Sequence, residues 1–218
     1  MRSETLPFDE TDGPVVNLAS YQLLRDRLGL TKDIPYTPQW SAAADFLELI
    51  VEHALCNKPQ TIVECGCGLT TVMLARCCAL NAAGKIYSLE NGADYARHTQ
   101  GFIQSHELQA YSNILHAPLR AYQLQGKDFQ WYNTTALVPD KIDMLVIDGP
   151  PGFLQRHSRY PALPLLYSRL HSGSVLFLDD AARNDEKELV AMWQAEYTAL
   201  KHRYLACERG CSILQFTS

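Results

Sequence analysis

The spacing of apolar residues changes repeatedly between two periods from Thr61 to the end of the chain. Short apolar runs predict buried strands, and apolar residues three or four positions apart predict helices. The pattern predicts strands at 61–65, 85–90, 112–117, 142–148, 173–179, 202–207 and 211–217, and helices at 69–81, 92–107, 159–171 and 185–200. The stretch 118–139 follows neither period clearly and is predicted to be less regular.

Strands that alternate with helices form a parallel sheet, because each helix returns the chain to the start of the next strand. The last two predicted strands are separated only by a tight turn at 208–210, so they must pair antiparallel. We therefore predict an α/β, Rossmann-like fold with a mostly parallel seven-stranded sheet, helices on both faces and an antiparallel C-terminal hairpin. We expect residues 1–57 to form an N-terminal extension with lid or cap helices, and residues 58–218 to form one compact cofactor-binding unit.

Helix boundaries are predicted from the residues that cap or interrupt helices. Residues 1–35 contain several breakers and are predicted to be loosely structured, apart from a short helix at about 20–28. Ser41 is a candidate N-cap for the next helix. The apolar face of that helix comprises Ala43, Phe46, Leu47, Ile50 and Ala54. Asp185 and Glu188 are spaced as a capping box for the helix predicted at 185–200.

Composition and charge limit the classes of function. With 218 residues, 47% of them hydrophobic, the chain is long enough for one domain with a large core. A net charge of −5 argues against a nucleic-acid partner, which needs a basic face. No apolar run approaches the roughly 18 residues of a membrane span, and residues 1–12 lack the pattern of a signal peptide. Seven cysteines without zinc-ligand spacing are typical of a reducing compartment, so we expect a cytoplasmic protein.

A glycine turn follows the first predicted strand of the sheet. The strand delivers Glu64 near its end, and Gly66 and Gly68 precede a helix that opens with Thr70 and Thr71. Glycines allow a ligand to approach the backbone closely, and a helix start offers free N–H groups. A dinucleotide-binding motif has a third glycine where Thr71 stands here, and Glu64 suits an amine-bearing or cationic group better than a pyrophosphate. An ordinary tight turn is the alternative interpretation.

Glu90 ends the second predicted strand. Ligands of parallel sheets bind beyond the carboxyl ends of the strands, where this carboxylate can accept hydrogen bonds from both hydroxyls of a ribose. Considered alone, Glu90 is equally consistent with a solvated strand end. Together with the glycine turn one strand earlier, it predicts a site for a cofactor that contains a nucleoside.

Acidic residues also end the two later buried strands. Asp148 follows one of them, and Asp179 and Asp180 follow the next, so the three carboxylates should converge at neighbouring strand ends. Such a set of oxygen ligands suits Mg²⁺ or another hard divalent cation. The alternative is that the carboxylates cap helices or pair with arginines. The arginines available in the nearby segments are Arg156, Arg159 and Arg183.

Over about residues 41–218, the chain resembles the class I S-adenosylmethionine-dependent methyltransferases. The features that carry the resemblance are the glycine motif, Glu90, the strand into Asp148 and the closing hairpin. The resemblance implies that the domain 58–218 binds S-adenosyl-L-methionine. Glu64 and the backbone of Gly66 and Gly68 would hold its methionine end. The full set of implied cofactor-binding residues is Glu64, Gly66, Gly68, Thr70, Thr71, Glu90 and Asn91 at the ribose, His116 and Ala117 beside the adenine, and Asp148.

Within that class, the arrangement is similar to the metal-dependent catechol-type O-methyltransferases. The similarity implies a divalent cation, Mg²⁺ or another, on Asp148, Asp179 and Asp180. The chain departs from that family because Pro151 stands where the family has a basic lysine, three residues after the first aspartate. The segment Asp148-Gly149-Pro150-Pro151-Gly152 instead resembles a less characterised bacterial group of methyltransferases.

We therefore predict an enzyme that transfers a methyl group from S-adenosylmethionine to a small-molecule nucleophile, with a hydroxyl as the expected acceptor. Asp148 and His157 are the candidate catalytic residues, since His157 lies in the loop after the fourth strand and can act as a general base. Residues 36–40 are expected to act as a lid. The aromatic candidates for the acceptor wall are Tyr36, Trp40, Trp131, Tyr132 and Tyr160.

Two alternative functions and the state of assembly stay open at the level of the sequence. One alternative function is a nicotinamide-dependent oxidoreductase on a similar sheet, and another is a non-catalytic or aminopropyl-transferring relative that binds the same kind of cofactor. The expected partners are the small-molecule acceptor, with neither nucleic acid nor membrane, and a homodimer is one option for assembly.

Overall fold

Helices and strands alternate along most of the chain in a computed structural model that describes residues 18–216. The helices are α1 (Leu18–Arg27), α2 (Ala44–Asn57), α3 (Leu69–Asn81), α4 (Ala93–Ser105), α5 (Ala162–Leu166) and α6 (Asn184–Glu196). The strands are β1 (Thr61–Cys65), β2 (Lys85–Glu90), β3 (Ser112–His116), β4 (Leu119–Leu124), β5 (Lys127–Tyr132), β6 (Ile142–Ile147), β7 (Leu170–Leu178), β8 (Leu200–Leu205) and β9 (Cys211–Phe216).

Seven of these strands form one sheet in the order β3-β2-β1-β6-β7-β9-β8. Strands β3, β2, β1, β6 and β7 run parallel, and β9 pairs antiparallel with both β7 and β8. The predicted fold class is therefore confirmed, including the C-terminal hairpin. The carboxyl ends of the parallel strands meet at one edge of the sheet, and the turn between β8 and β9 lies at that same edge.

Alternate residues of the central strands face two separate apolar layers. Ile62 of β1 packs into the layer that contains residues of α1, α2 and α3, and its neighbour Val63 packs into the layer that contains residues of α5 and α6. This alternation is the two-residue period of a strand with both faces covered. Trp193 of α6 and Phe46 of α2, both fully buried, are large side chains of the two layers.

Residues 118–139, predicted to be less regular and assigned no strands, contain the antiparallel hairpin of β4 and β5. Both strands are mostly polar, and only Phe129, Trp131 and Tyr132 are buried, so the hydrophobic pattern is weak. The turn residues Gln125 and Gly126 both have positive φ, as a tight hairpin requires.

The prediction of a helix over about 159–171 is right for 162–169, where α5 is followed directly by a 3₁₀ helix at Tyr167–Arg169, and wrong at both ends. Helix α5 covers five residues only, with Pro161 preceding it and Pro164 inside it. Strand β7 then begins at Leu170, three residues before the predicted start. Proline has no backbone N–H and clashes with a preceding helical turn, so Pro164 disfavours an earlier start of this helix.

Both predicted N-terminal caps are wrong as well. Helix α2 starts after Ala43, and the Ser41 hydroxyl instead accepts a hydrogen bond from the Thr37 N–H at 2.9 Å. Helix α6 starts after Arg183, one residue before Asp185. The side chains of Asp185 and Glu188 contact the loop before α5 rather than the start of their own helix.

The N-terminal helices pack on the same core as the sheet. The Tyr21 hydroxyl of α1 donates to the Ala42 carbonyl at 2.9 Å, and Leu24 and Leu28 belong to the layer of α2 and α3. The division at residue 57 stays a prediction, and residues 1–17 of the predicted extension lie outside the described residues. Within 18–216, no helix has the length and apolar character needed to cross a membrane.

Candidate active site

A cavity of about 960 Å³ opens at the edge where the carboxyl ends of β1, β2, β6 and β7 meet. This is the edge at which parallel sheets of this type bind ligands. The volume is near the upper end of the range of roughly 300–1,000 Å³ for small-molecule pockets. Its lining comes from the segments 35–42, 64–70, 90–95, 148–154 and 180–186, together with Tyr132, Arg159 and Arg209.

The glycine turn after β1 forms one wall of this cavity. Gly66 and Gly68 have φ angles of +101° and +147°, which residues with a side chain rarely adopt. The Gly66 N–H donates to the Leu89 carbonyl of β2 at 2.9 Å, so the turn is held against the neighbouring strand. Thr70, in the first turn of α3, also lines the cavity.

Glu64 is buried at the base of this wall, and it is among the residues that line the cavity. Its Oε2 atom accepts hydrogen bonds from the hydroxyls of Thr71 and Ser88, each at 2.6 Å. Burial raises the pKa of the Glu64 carboxyl to about 7, although the two hydroxyls lower it in part. A cationic group in the cavity would favour the charged form of this carboxyl.

Thr71 is fully buried and is not among the described residues that line the cavity. Its hydroxyl accepts a hydrogen bond from the Gly68 N–H at 3.0 Å and donates to Glu64. The residue that replaces the third glycine of a dinucleotide motif thus connects the turn to the acid. Its predicted role in cofactor binding is therefore indirect in this geometry.

Glu90, at the end of β2, contacts the glycine turn and lines the same cavity as Glu64. Its two carboxylate oxygens accept hydrogen bonds from the N–H groups of Cys67 at 3.2 Å and Gly92 at 2.7 Å. Burial raises the pKa of the Glu90 carboxyl, and these backbone bonds oppose that effect. Asn91 also lines the cavity.

The predicted adenine-flanking residues lie farther along the strand edge. The Ala117 N–H donates to the Glu90 carbonyl at 2.7 Å, and Ala117 itself is buried. His116 pairs with Glu90 in the register of β2 and β3 and is exposed. Neither residue is among the described lining of the cavity, and their predicted role stays a prediction.

Asp148, Asp179 and Asp180 converge, as predicted from their positions at the strand ends. Asp148 and Asp180 line the cavity, whereas Asp179 is fully buried and is not among the described lining residues. Arg159 Nη2 donates to Asp148 Oδ1 at 3.2 Å and to Asp180 Oδ2 at 2.7 Å. Burial and then repulsion by Asp179 raise the pKa of the Asp148 carboxyl well above its usual range, and Arg159 opposes this shift. The pKa of Asp179 is raised to about 6, again chiefly by burial.

Two further arginines complete this acidic cluster. Arg183 lies 2.9 Å from Asp180, and Arg209 lies 3.2 Å from Asp179 Oδ2. Arg159 and Arg183 were candidates from the sequence, whereas Arg209 was not anticipated. The signal for Arg209 was present, because a turn between two antiparallel strands at the end of β7 must lie at the ligand-binding edge. Glu186, also missed, is buried beside Arg159 and lines the cavity.

The methyltransferase-domain family matches residues 63–181, a span that includes the glycine turn, Glu90 and the three aspartates. The match extends over more than half of the 218 residues. The chain belongs to this methyltransferase family. The prediction of a class I S-adenosylmethionine-dependent methyltransferase is thereby confirmed.

Solved structures of other methyltransferases have the same fold. A Podospora anserina methyltransferase with S-adenosylhomocysteine bound is 13% identical, with a TM-score of 0.66 over 100% of both chains. A Bacillus cereus O-methyltransferase in complex with S-adenosylhomocysteine is 12% identical, with a TM-score of 0.61 over 91% of each chain. The Streptomyces achromogenes O-methyltransferase of tomaymycin synthesis is 11% identical, with a TM-score of 0.59 over 95% of this chain and 92% of that one. A search of curated proteins gave no match.

His157 of this methyltransferase is buried, and it is not among the described residues that line the cavity. Its Nε2 atom lies 2.7 Å from Glu188 Oε2, and its backbone N–H donates to Asp185 Oδ2 at 3.2 Å. Both acidic partners belong to α6, so the contacts attach the loop before α5 to that helix. The catalytic role predicted for His157 stays a prediction, and the geometry places Asp148 rather than His157 at the cavity.

Aromatic side chains surround the mouth of the methyltransferase cavity. Trp40 and Phe153 meet edge to face with ring centroids 6.2 Å apart, and Phe153 is 77% exposed. Of the aromatic residues predicted to wall the site, Trp40 and Tyr132 line the cavity. The other three, Tyr36, Trp131 and Tyr160, pack within or against the two core layers.

The three aspartates meet one requirement of a divalent-cation site and fail another. One oxygen from each lies within 4.8 Å of the others, which is compatible with a shared ion. One oxygen of each aspartate accepts a hydrogen bond from a guanidinium group, whereas Asp179 Oδ1 and Asp180 Oδ1 have no hydrogen-bond partner. An ion ligated by Asp148 Oδ1 and Asp180 Oδ2 would have to displace Arg159, so this pair of oxygens does not fit a metal as it stands, and the predicted Mg²⁺ site stays a prediction.

Proposed function

We propose that this methyltransferase transfers a methyl group from S-adenosylmethionine to a hydroxyl oxygen of a small molecule. The observation that carries the proposal is that the glycine turn with Glu64 and Glu90 shares one cavity with Asp148. A donor bound on the glycine turn and an acceptor bound beside Asp148 would therefore be neighbours. Holding the two in one orientation lowers the barrier because less freedom is lost in the reaction.

The glycine-turn wall supports the binding of the donor. We assign the ammonium group of its methionine end to Glu64 and to the backbone of Gly66 and Gly68. We assign the ribose hydroxyls to Glu90, with Asn91 beside it, because both carboxylate oxygens of Glu90 have lone pairs beyond those used by the backbone. Thr70 lines the same wall.

We assign the role of general base to Asp148, which lines the cavity. S-adenosylmethionine supplies the methyl group, whose bond to sulfur breaks with its electron pair staying on sulfur as the new carbon–oxygen bond forms. Asp148 accepts the proton that the hydroxyl releases. A carboxylate with a raised pKa is a stronger base than an ordinary aspartate, and this suits the removal of a proton from oxygen.

Segment 35–42 supports the exclusion of water from the reaction. Its residues Pro35, Gln39, Trp40, Ser41 and Ala42 line the cavity. Trp40 meets Phe153 of the opposite loop at the mouth. We propose that this aromatic pair contacts the apolar part of the acceptor, which leaves the reacting hydroxyl directed towards Asp148.

The choice of oxygen as the acceptor atom rests on two points. A hydroxyl must lose a proton during transfer, and the cavity offers a carboxylate suited to take it. Two of the structurally similar proteins are named O-methyltransferases. We also propose that the enzyme acts on small molecules in the cytoplasm without nucleic acid, with a homodimer as one option for its assembly.

Transfer of a labelled methyl group tests the proposal. Incubation of the protein with methyl-labelled S-adenosylmethionine and a panel of small aromatic and aliphatic alcohols should label at least one alcohol on oxygen. The Asp148→Asn variant should bind S-adenosylhomocysteine normally but lose the labelling. Transfer to nitrogen or sulfur alone, with alcohols unlabelled, would contradict the assignment of oxygen.

A further inference from the structure

We propose that the guanidinium of Arg159 is a built-in cation that takes the place of a divalent metal between Asp148 and Asp180. The inference rests on the proposed function, because it describes how the acceptor end of the same cavity is built. It goes beyond that function because it assigns this chain to a metal-free form of the site. The similarity to metal-dependent catechol-type enzymes implies the opposite, a divalent cation bound to these aspartates.

The position of the guanidinium carries the argument. Nη2 of Arg159 lies 3.2 Å from Asp148 Oδ1 and 2.7 Å from Asp180 Oδ2, so it occupies the space between the two carboxylates. A Mg²⁺ ion ligated by the same two oxygens would need to lie roughly 2.0–2.1 Å from each of them. The ion and the nitrogen would then compete for one position, with two positive groups almost in contact.

Arg159 is held too firmly to be displaced without a large cost. Only 4% of its side chain is exposed, and its Nη1 donates to the Asp179 carbonyl at 2.9 Å. Its Nε lies 3.9 Å from Glu186 Oε1, which is within ion-pair distance but makes no hydrogen bond. Removal of a buried guanidinium from its partners leaves a charge without compensation, which is strongly unfavourable. Arg156, by contrast, is 70% exposed and has no part in the cluster.

The charge balance of the cluster agrees with this assignment. Four acids meet there, and they face three guanidinium groups, so their formal sum is one negative charge. The acids are Asp148, Asp179, Asp180 and Glu186, and the cations are Arg159, Arg183 and Arg209. A divalent ion added to this set would give a buried site an excess of positive charge, which is unfavourable.

A titration with Mn²⁺ tests the proposal without any measurement of activity. The electron paramagnetic resonance signal of free Mn²⁺ disappears when the ion binds to protein. Wild-type protein should remove no more of this signal than an Asp180→Asn variant, which has one carboxylate fewer in the cluster. Stoichiometric binding by wild type that is lost in Asp180→Asn would overturn the proposal.

Two substitutions of Arg159 sharpen the test. Arg159→Met leaves the acids without their central cation, so it should bind Mn²⁺ and gain thermal stability from it. Arg159→Lys retains a positive charge and should bind none. The matched control is Arg156→Met, which should behave like wild type. If Arg159→Met is folded but takes up no Mn²⁺, the guanidinium does not hold a cation position, and the proposal fails.

The wild-type titration remains decisive if Arg159→Met does not fold. Binding of S-adenosylhomocysteine, measured by calorimetry on the same wild-type protein, keeps this inference separate from the proposed function. Protein that binds both S-adenosylhomocysteine and Mn²⁺, the latter through Asp180, contradicts only the metal-free site. Protein that binds neither contradicts the proposed function and leaves the assignment of Arg159 intact.

Discussion

The Thr71 hydroxyl donates a hydrogen bond to Oε2 of Glu64 at 2.6 Å. This bond connects helix α3 to strand β1 and fixes the position of the Glu64 carboxyl group. The same hydroxyl accepts a hydrogen bond from the N–H of Gly68 at 3.0 Å. A third glycine at position 71 could make neither contact. The threonine therefore preorganises both the turn and the carboxyl group that we assign to the methionine end of the donor.

Substitution of Thr71 by valine should lower both the free energy of unfolding and the affinity for S-adenosylhomocysteine. Valine has nearly the same volume but no hydroxyl, so the Gly68 N–H is left without this acceptor and Glu64 loses one donor. Loss of such buried bonds costs about 1–3 kcal/mol of the free energy of unfolding. Thermal unfolding and calorimetry with S-adenosylhomocysteine measure the two effects. Thr61→Val in β1 is the control, and an equal loss in both variants would show that the Thr71 bond has no special role.

The raised pKa of Glu64 predicts a dependence of stability on pH. The folded-state pKa of about 7 exceeds the usual value of 4.5, so the folded protein retains a proton that the unfolded chain has lost between these values. This contribution to stability is fully present below pH 4.5 and is lost as the pH rises through 7, by about 3 kcal/mol in total. Denaturant unfolding from pH 5 to 8 should therefore show wild type losing stability relative to Glu64→Gln, and a constant difference would refute the prediction.

Asp148→Asn should reduce kcat by about 10²- to 10⁴-fold, the usual contribution of a general base. Asparagine is almost the same size, so the affinity for S-adenosylhomocysteine should change little. Because the active form is the deprotonated carboxylate and its pKa is raised, wild-type kcat should increase with pH and then level off. The pH profile of the residual activity in the variant should lack this step. A near-normal kcat in this variant would show that Asp148 does not act as the general base.

His157→Gln separates the two catalytic candidates. His157 contacts Glu188 and lies outside the described cavity lining, so its loss should loosen the loop and reduce kcat only a few-fold. Hydrogen exchange of residues 149–160 should become faster, as expected for a segment that has lost an attachment. A fall in kcat as deep as that of Asp148→Asn would instead identify His157 as the base.

Most of the fold could be predicted because its strands are buried on both faces and are separated by strong turn signals. Strand β1 and helix α3 have the bounds expected from the sequence. The hairpin of β4 and β5 escaped prediction since its residues are largely polar and exposed. The helix predicted from about residue 159 starts later, at Ala162, because Pro164 has no backbone N–H to bond to a preceding helical turn.

The candidate site could be predicted where it depends on strand ends, and less well where it depends on loops. Glu64, Glu90 and Asp148 follow directly from the sheet. Arg209 and Glu186 come from segments whose position is set by the packing of the last hairpin and of α6, which no local pattern specifies. His157 illustrates the same limit, since its position in the sequence is close to Asp148 but its side chain contacts α6.

The cavity must bind a sulfonium nucleoside if this protein transfers a methyl group as proposed, and calorimetry with two ligands tests that directly. Wild-type protein should bind S-adenosylhomocysteine at one site per chain, with affinity lowered at least tenfold in Glu90→Ala, and should show no heat of binding with NADH. Tight binding of NADH, with S-adenosylhomocysteine failing to bind, would contradict it.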